Sequence, residues 1–233
     1  MMARRTVMGL LAGAVLLSRC GGRKEYRYKM TVEVETPQGV KSGSSVWAIM
    51  PYETNSLVGP QAAVDFRGEA VVVDIAPGQS LFALLTSADG DPDYAKQLPG
   101  RALGSRFLAD EDDDVQWCDS ADLYPSAPKT VGLARTNPLP KLVTFRDMRD
   151  PASVQKVEPG ALDTAFGPGV KLRRIILQAT DEDVTTGIGE RLVWLGNAQD
   201  REGMLNGDRF EDFRKKETAA HISPFEFSTE KQK

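Results

Sequence analysis

Residues Tyr26 to Thr36 read YRYKMTVEVET, and this stretch decides the fold class. Polar and apolar residues alternate along it, the apolar ones being Tyr26, Tyr28, Met30, Val32 and Val34. A period of two places those side chains on one face of an extended chain, as in a half-buried antiparallel strand. The turn residues Pro37-Gln38-Gly39 follow, and a second strand is predicted through residues 46–49. The folded part of the chain is therefore predicted to begin with a β-hairpin.

A second hairpin is predicted by the same signals. Residues 70–75 (AVVVDI) and 81–86 (LFALLT) read as strands on either side of a Pro77-Gly78 turn. Further strands are predicted at residues 142–145 and 171–180, the second of which reads KLRRIILQAT. Four strands before residue 90 make the first part of the chain rich in β-structure.

Short helices are predicted mainly in the C-terminal half. The Asp150-Pro151 pair is typical of an N-cap followed by the first helical residue. The other predicted helical stretches are 93–98, 115–123, 161–166 opened by Glu158-Pro159, 190–195 and 209–216. The fold class is therefore α+β: a β-rich sheet or sandwich of antiparallel hairpins, with short helices mostly late in the chain.

Composition excludes several classes of protein. The chain has 233 residues, 27% of them charged, and a formal charge of −4, which is ordinary for a globular protein. Non-specific nucleic-acid binding needs a basic face, so no nucleic-acid partner is predicted. We predict one globular domain at residues 26–227 with a long acidic, Pro- and Gly-rich excursion at 87–140, followed by a loose tail at 228–233.

The N-terminus has the pattern of an export signal. Arg4 and Arg5 precede an uncharged apolar run from Val7 to Leu17, which is shorter than the roughly 18 to 20 residues of a membrane span. We therefore predict a signal peptide at residues 1–19 and a tether at residues 20–25. Export places the domain in the cell envelope.

The end of this signal resembles the lipobox of bacterial lipoproteins. Leu17, Ser18 and Cys20 match that motif, whereas Arg19 stands where the family has a small residue. The resemblance implies that Cys20 is lipidated, with palmitate among its acyl chains, and becomes the first mature residue. Loss of residues 1–19 would remove three arginines and change the formal charge from −4 to −7. The membrane is then a partner, reached from its periplasmic side.

The sequence contains two cysteines, Cys20 and Cys118. If Cys20 carries lipid, Cys118 is a lone thiol in a compartment that permits disulfides. If it does not, a Cys20–Cys118 disulfide is the alternative. Neither arrangement supplies a zinc cluster or a CxxC redox motif.

Two stretches resemble a family of uncharacterised proteobacterial proteins. They are the opening hairpin from Tyr26 to Trp47 and the stretch from Phe166 through residues 171–180 and Asp183–Ile188 to Trp194-Leu195. The family has no established activity, so the resemblance implies kinship and contributes no catalytic residue.

Motifs for catalysis are few. His221 is the single histidine, and the sequence holds no GxSxG elbow, Walker loop or HExxH motif, so no catalytic residue is assigned. Asp89, Asp91 and Asp93 place carboxylates at alternate positions, a spacing that suits calcium. The stretch departs from an EF-hand loop, because Tyr94 stands where the turn glycine belongs. Calcium is the one cofactor candidate.

These observations predict a cell-envelope lipoprotein that acts as a binding or assembly module, with an envelope protein as a candidate partner. Two alternatives remain open, a calcium-stabilised envelope domain and a carboxylate-dependent hydrolase. An exposed apolar patch would favour the binding module. Two facing carboxylates in a deep pocket would favour the hydrolase.

Overall fold

A computed structural model describes residues 25–56, 59–103, 120–123, 139–198 and 203–229. The strands in these ranges are β1 (Tyr26–Thr36), β2 (Gly39–Ser56), β3 (Gly59–Arg67), β4 (Val71–Ala76), β5 (Gln79–Ser87), β6 (Ser120–Leu123), β7 (Pro140–Phe145), β8 (Val154–Val157) and β9 (Lys171–Ala179). The helices are α1 (Tyr94–Ala102), α2 (Leu162–Phe166), α3 (Ile188–Arg191) and α4 (Val193–Ala198), with short 3₁₀ turns at Pro151–Ser153, Thr218–Ala220 and Pro224–Glu226.

The strands form two antiparallel sheets, as the sequence predicted. The first sheet has the order β3-β2-β1-β9-β6, and the second has the order β4-β5-β7-β8. Both predicted hairpins are present: β1 pairs with β2 from Tyr26 opposite Ile49 to Thr36 opposite Gly39, and β4 pairs with β5. The β-rich α+β class with short helices mostly in the C-terminal half is therefore confirmed.

The main core lies between the two sheets. The alternating apolar side chains of β1 from Tyr28 to Val34 are fully buried, and Trp47 and Ile49 of β2 join them. The second sheet contributes the facing residues Val71, Val73, Ile75, Leu81, Ala83, Leu85, Leu142 and Val157. The apolar positions of the alternation in β1 are therefore the ones whose side chains face the second sheet.

A second core covers the other face of the second sheet. Strand β5 is buried along both faces from Ser80 to Ser87, which is why it reads as a continuous apolar run. The C-terminal third of the chain supplies the cover, with Ile188, Leu192, Leu195, Leu205, Ala219, Ile222 and Phe227 among the buried residues. Four aromatic rings meet there with centroids 5.4 to 6.1 Å apart, those of Phe82, Phe145, Trp194 and Phe227.

Strands β2 and β4 cross at Gly43. A Cβ atom at this position would lie 1.9 Å from the carbonyl oxygen of Val72, so the crossing leaves no room for a side chain. This close approach is the structural reason for a glycine inside a strand.

Several helix predictions are confirmed, in part with shifted ends. The predicted 93–98 helix is α1, and Asp150 caps its 3₁₀ turn by accepting a hydrogen bond from the Ala152 N–H. Helix α2 begins at Leu162, so Glu158-Pro159 does not open it. Residues 120–123 form strand β6 of the first sheet, whereas a helix was predicted there.

The helix predicted at 209–216 is wrong. These residues form bends and turns, and the Asp212 carboxylate accepts a hydrogen bond from the Arg214 N–H at 3.0 Å. Short acidic side chains that bond to nearby backbone compete with helical hydrogen bonding, and this turn is an example.

Several predicted segments of the chain lie partly or wholly outside the described residues. The predicted signal peptide and the tether up to residue 24, together with much of the 87–140 excursion, lie outside the described residues. In the predicted tail, Ser228 forms a bridge with Glu69, and the Thr229 N–H donates to the Gly68 carbonyl at 3.1 Å. These two residues are therefore attached to the fold, and 230–233 lie outside the described part.

Candidate interaction surface

Large apolar side chains are exposed at a few described positions. Their exposed fractions are 49% for Val40, 62% for Val193, 72% for Phe210, 81% for Phe213 and 58% for Phe225. The two most exposed aromatic residues stand three positions apart in one loop, residues Arg209 to Lys216, which we call the aromatic loop. Two exposed phenylalanines this close in sequence make the loop a candidate interaction surface.

A tight turn attaches the aromatic loop to the core. The Leu205 side chain is buried, and its N–H donates to the Ile222 carbonyl at 2.9 Å. The Met204 N–H donates to the Asp208 carbonyl at 2.8 Å. Gly203 has a φ of +139°, and a Cβ there would lie 2.2 Å from the Asp208 oxygen. The loop therefore starts from a fixed position on the second core.

Two ion pairs connect residues within the aromatic loop or at its base. Lys215 Nζ lies 2.5 Å from Asp208 Oδ2, and Arg214 Nε lies 2.9 Å from Asp212 Oδ1. Hydrogen bonds from these cations hold the pKa of both Asp208 and Asp212 below its ordinary value. Exposed pairs contribute little stability each, so their main effect is on the geometry of the loop.

His221 bonds to the loop at two points. Its Nδ1 lies 3.0 Å from Glu211 Oε1, and its Nε2 lies 2.8 Å from the Lys215 carbonyl oxygen. Only the protonated imidazole can donate to both acceptors at once. The Lys215 carbonyl, and then Glu211, raise the pKa of His221 above its ordinary value. The Phe213 ring centroid lies 6.2 Å from that of the imidazole, and the two rings are tilted by 36°.

The loop combines apolar and cationic groups. The guanidinium of Arg209 lies over the Phe210 ring at 5.3 Å. The eight residues RFEDFRKK carry four cations and two acids, and both acids, Glu211 and Asp212, have partners within the protein. Lys215 and Arg214 are themselves paired with Asp208 and Asp212, so the loop presents two aromatic rings together with the two remaining cations, Arg209 and Lys216.

The three aspartates predicted as calcium ligands bond to their own turn. The Ser87 hydroxyl donates to the Asp89 carboxylate, and the Asp91 N–H donates to Ser87 Oγ at 2.9 Å. The Asp93 N–H donates to Asp91 Oδ1 at 2.9 Å. The three aspartates therefore lie in a hydrogen-bonded turn directly before α1.

Nearby cations also contact these carboxylates. Lys96 Nζ lies 2.9 Å from Asp93 Oδ1, and Arg101 lies 3.7 Å from Asp91 Oδ2. Within the described part of the chain, no group of three or more His, Cys, Asp or Glu side chains is arranged to hold a metal ion. The second acidic run at 110–114, and both Cys20 and Cys118, lie outside that part.

An open groove of about 690 Å³ lies where the turns of the two hairpins meet. Lys41, Asp74 and Arg191 are its charged lining residues. Arg191 binds both carboxylate oxygens of Asp74, at 2.6 and 2.8 Å, and this holds the pKa of Asp74 below its ordinary value. Asp74 is therefore an ionised carboxylate paired with Arg191, and it is the one carboxylate among the described residues that line this groove.

Glu69 is a charged residue buried in the fold, with 2% exposure. Its Oε2 accepts a hydrogen bond from the Ile188 N–H at 2.8 Å, and its backbone carbonyl accepts from Trp47 Nε1 at 2.7 Å. The residue thus connects the first sheet, the start of α3 and Ser228 near the C-terminus.

Sequence reasoning missed the aromatic loop and Glu69. The sequence predicts a helix at 209–216, although the Asn-Gly-Asp stretch at 206–208 directly before it is a turn signal. Nothing in the local pattern marks Glu69 as buried, because its partners are distant in the sequence.

Comparison with known proteins adds no relative: no family model, curated protein or solved structure matches the chain. Among the described residues, no helix combines the length and the hydropathy that crossing a membrane requires.

Proposed function

We propose that this chain is a cell-envelope lipoprotein whose sandwich domain acts as a binding module, held on the periplasmic side of a membrane by lipid on Cys20. The observation that carries the proposal is the N-terminal sequence: an arginine pair, a short apolar run and a lipobox-like end at Cys20. Several acyl chains on one cysteine bury enough apolar area for stable retention, which a single chain does not.

The described domain is compatible with a short tether. Glu25 is the first described residue, and five residues after Cys20 span at most about 18 Å when extended. The sandwich would therefore stand close to the bilayer.

The aromatic loop supports a binding role. Its two exposed phenylalanines are held on a hydrogen-bonded base, so a partner meets a surface that is already ordered. Preorganised aromatic side chains are favoured in binding surfaces because little entropy is lost on contact.

Metabolic labelling with an alkyne analogue of palmitate tests the anchor. The wild-type chain should incorporate the label and sediment with membranes, and Cys20→Ser should incorporate none. Cys118→Ser is the matched control and should label like wild type. Equal labelling of wild type and Cys20→Ser, or none in either, would contradict the proposal.

A further inference from the structure

The aromatic loop has a composition suited to a charged bilayer surface. Phe210 and Phe213 are 72% and 81% exposed, and Arg209, Arg214, Lys215 and Lys216 surround them in sequence. Side chains of this kind enter the interface between headgroups and acyl chains, where aromatic rings bury their area and cations meet lipid phosphates. We propose that the aromatic loop binds the surface of an anionic bilayer and fixes the orientation of the domain on it.

The area of the loop favours a bilayer over a protein partner. Two phenylalanine side chains offer roughly 300 to 500 Å² of apolar area when buried. A stable protein interface needs about 800 Å² on each partner. A domain already held by lipid needs only a small second contact to be oriented, because the anchor supplies a high effective concentration.

The charge of the loop is complementary to anionic lipid. Asp208 and Asp212 pair with Lys215 and Arg214, so these two cations are neutralised within the protein, and Glu211 pairs with His221. Arg209 and Lys216 take part in none of these three pairs and are exposed at the two ends of the loop, so these two cations supply the positive charge beside the rings. Basic residues near a bilayer each strengthen attraction to anionic headgroups.

The fixed shape of the loop supports the same inference. The turn at 203–208 and the two bonds of His221 attach the loop to the rest of the fold. Exposed rings held in this way lose little freedom when they enter an interface. This inference deepens the proposed function and rests on it for the nearness of the membrane.

Hydrogen exchange on the full chain tests the inference. The detergent-purified protein is reconstituted into vesicles of phosphatidylethanolamine and phosphatidylglycerol, and in parallel into vesicles of phosphatidylcholine alone. We expect the amides of residues 209–216 to exchange several-fold more slowly on the anionic vesicles. Flotation of the vesicles reports association, and the intact mass of the same sample reports lipidation separately.

Two variants make the test specific. Phe210→Ser combined with Phe213→Ser should abolish the protection while the melting temperature stays close to that of wild type, because both side chains are exposed. Val40→Ser, an exposed apolar position of the first hairpin, is the matched control and should keep the protection.

The possible outcomes distinguish the proposal for the aromatic loop from the proposal for the lipid anchor. Lipidated protein that floats with both vesicles and exchanges equally in both would overturn the loop assignment and leave the anchor intact. Protection of the loop in an unlipidated sample would support the loop and contradict the anchor. Protection that requires a membrane-free envelope protein fraction, and is absent on vesicles, would overturn the bilayer assignment in favour of a protein partner.

Discussion

The carboxylate of Glu69 accepts a hydrogen bond from the backbone N–H of Ile188 at 2.8 Å, across 119 positions of sequence. Glu69 is 2% exposed and lies where the first sheet meets the segments that cover the second. A buried carboxylate is retained only where donors compensate for the loss of water. This bond therefore attaches the C-terminal cover, which carries the aromatic loop, to the sandwich.

Replacing Glu69 tests that attachment. Glu69→Ala leaves the Ile188 N–H without this acceptor, and we expect a loss of about 1 to 3 kcal/mol in the free energy of unfolding. Glu69→Gln keeps an acceptor oxygen of similar reach and should lose less. Urea titration followed by fluorescence measures both variants. If Glu69→Ala unfolds at the wild-type urea concentration, the bond has no such role.

Gly43 provides a test of the crossing between the sheets. Gly43→Ala places a Cβ 1.9 Å from the Val72 carbonyl oxygen, so the backbone must move. We expect the free energy of unfolding to fall by about 1 to 3 kcal/mol. Gly100→Ala is the matched control, because α1 leaves open space there and alanine favours a helix by up to about 1 kcal/mol. Equal stability of the two variants, measured by thermal unfolding, would contradict the described crossing.

Much of the sandwich could be predicted because its signals are local. Alternation from Tyr26 to Thr36 gave the first hairpin, and the Pro77-Gly78 turn gave the second. Strand β3 (Gly59–Arg67) was missed because GPQAAVDFR has no clean alternation, and its extended form depends on pairing with β2. Strand β8 has only four residues, too few for a period to be seen.

The candidate interaction surface could not be predicted from local pattern. Phe210 and Phe213 have helical spacing. The turns of the loop show in the bonds that the Asp208 and Asp212 carboxylates accept from Lys215 and Arg214, and in the contact of His221 with the Lys215 carbonyl. These contacts join residues that no periodicity relates, so the sequence placed the aromatic rings on the wrong element.

The pH dependence of stability tests the contact of His221 with the loop. The Lys215 carbonyl and Glu211 bond to the imidazole, Glu217 and Asp212 are charged groups near enough to act on it, and the Phe213 ring centroid lies 6.2 Å away. Its pKa is raised on folding, so its contribution is complete below about pH 6.5 and is lost as pH rises through the folded-state value.

We therefore expect the melting temperature of the wild-type chain to fall slightly between pH 6 and pH 8. His221 is the single histidine of the chain, so His221→Gln should remove this fall. The pH dependence that other titratable groups give to the melting temperature should remain. Differential scanning calorimetry in buffers of matched ionic strength measures both proteins. An identical pH profile for His221→Gln would show that the imidazole does not bind the loop in this way.

Calcium addition tests the metal-dependent alternative. The Asp89 carboxylate accepts from Ser87, the Asp91 carboxylate accepts from the Asp93 N–H, and the Asp93 carboxylate pairs with Lys96. We therefore expect millimolar calcium to leave the melting temperature unchanged. A rise that Asp91→Ala abolishes would support the calcium-stabilised domain instead. Magnesium at the same concentration controls for a general effect of divalent ions.

Intact-mass spectrometry of the protein recovered from fractionated native cells tests the central claim most directly. The account predicts a chain that begins at Cys20, carries added acyl mass and is found in the membrane fraction. Residues 1–19 should be absent from it. An unlipidated chain, whether full length or cleaved elsewhere, would contradict the lipoprotein assignment and make a Cys20–Cys118 disulfide the next arrangement to examine.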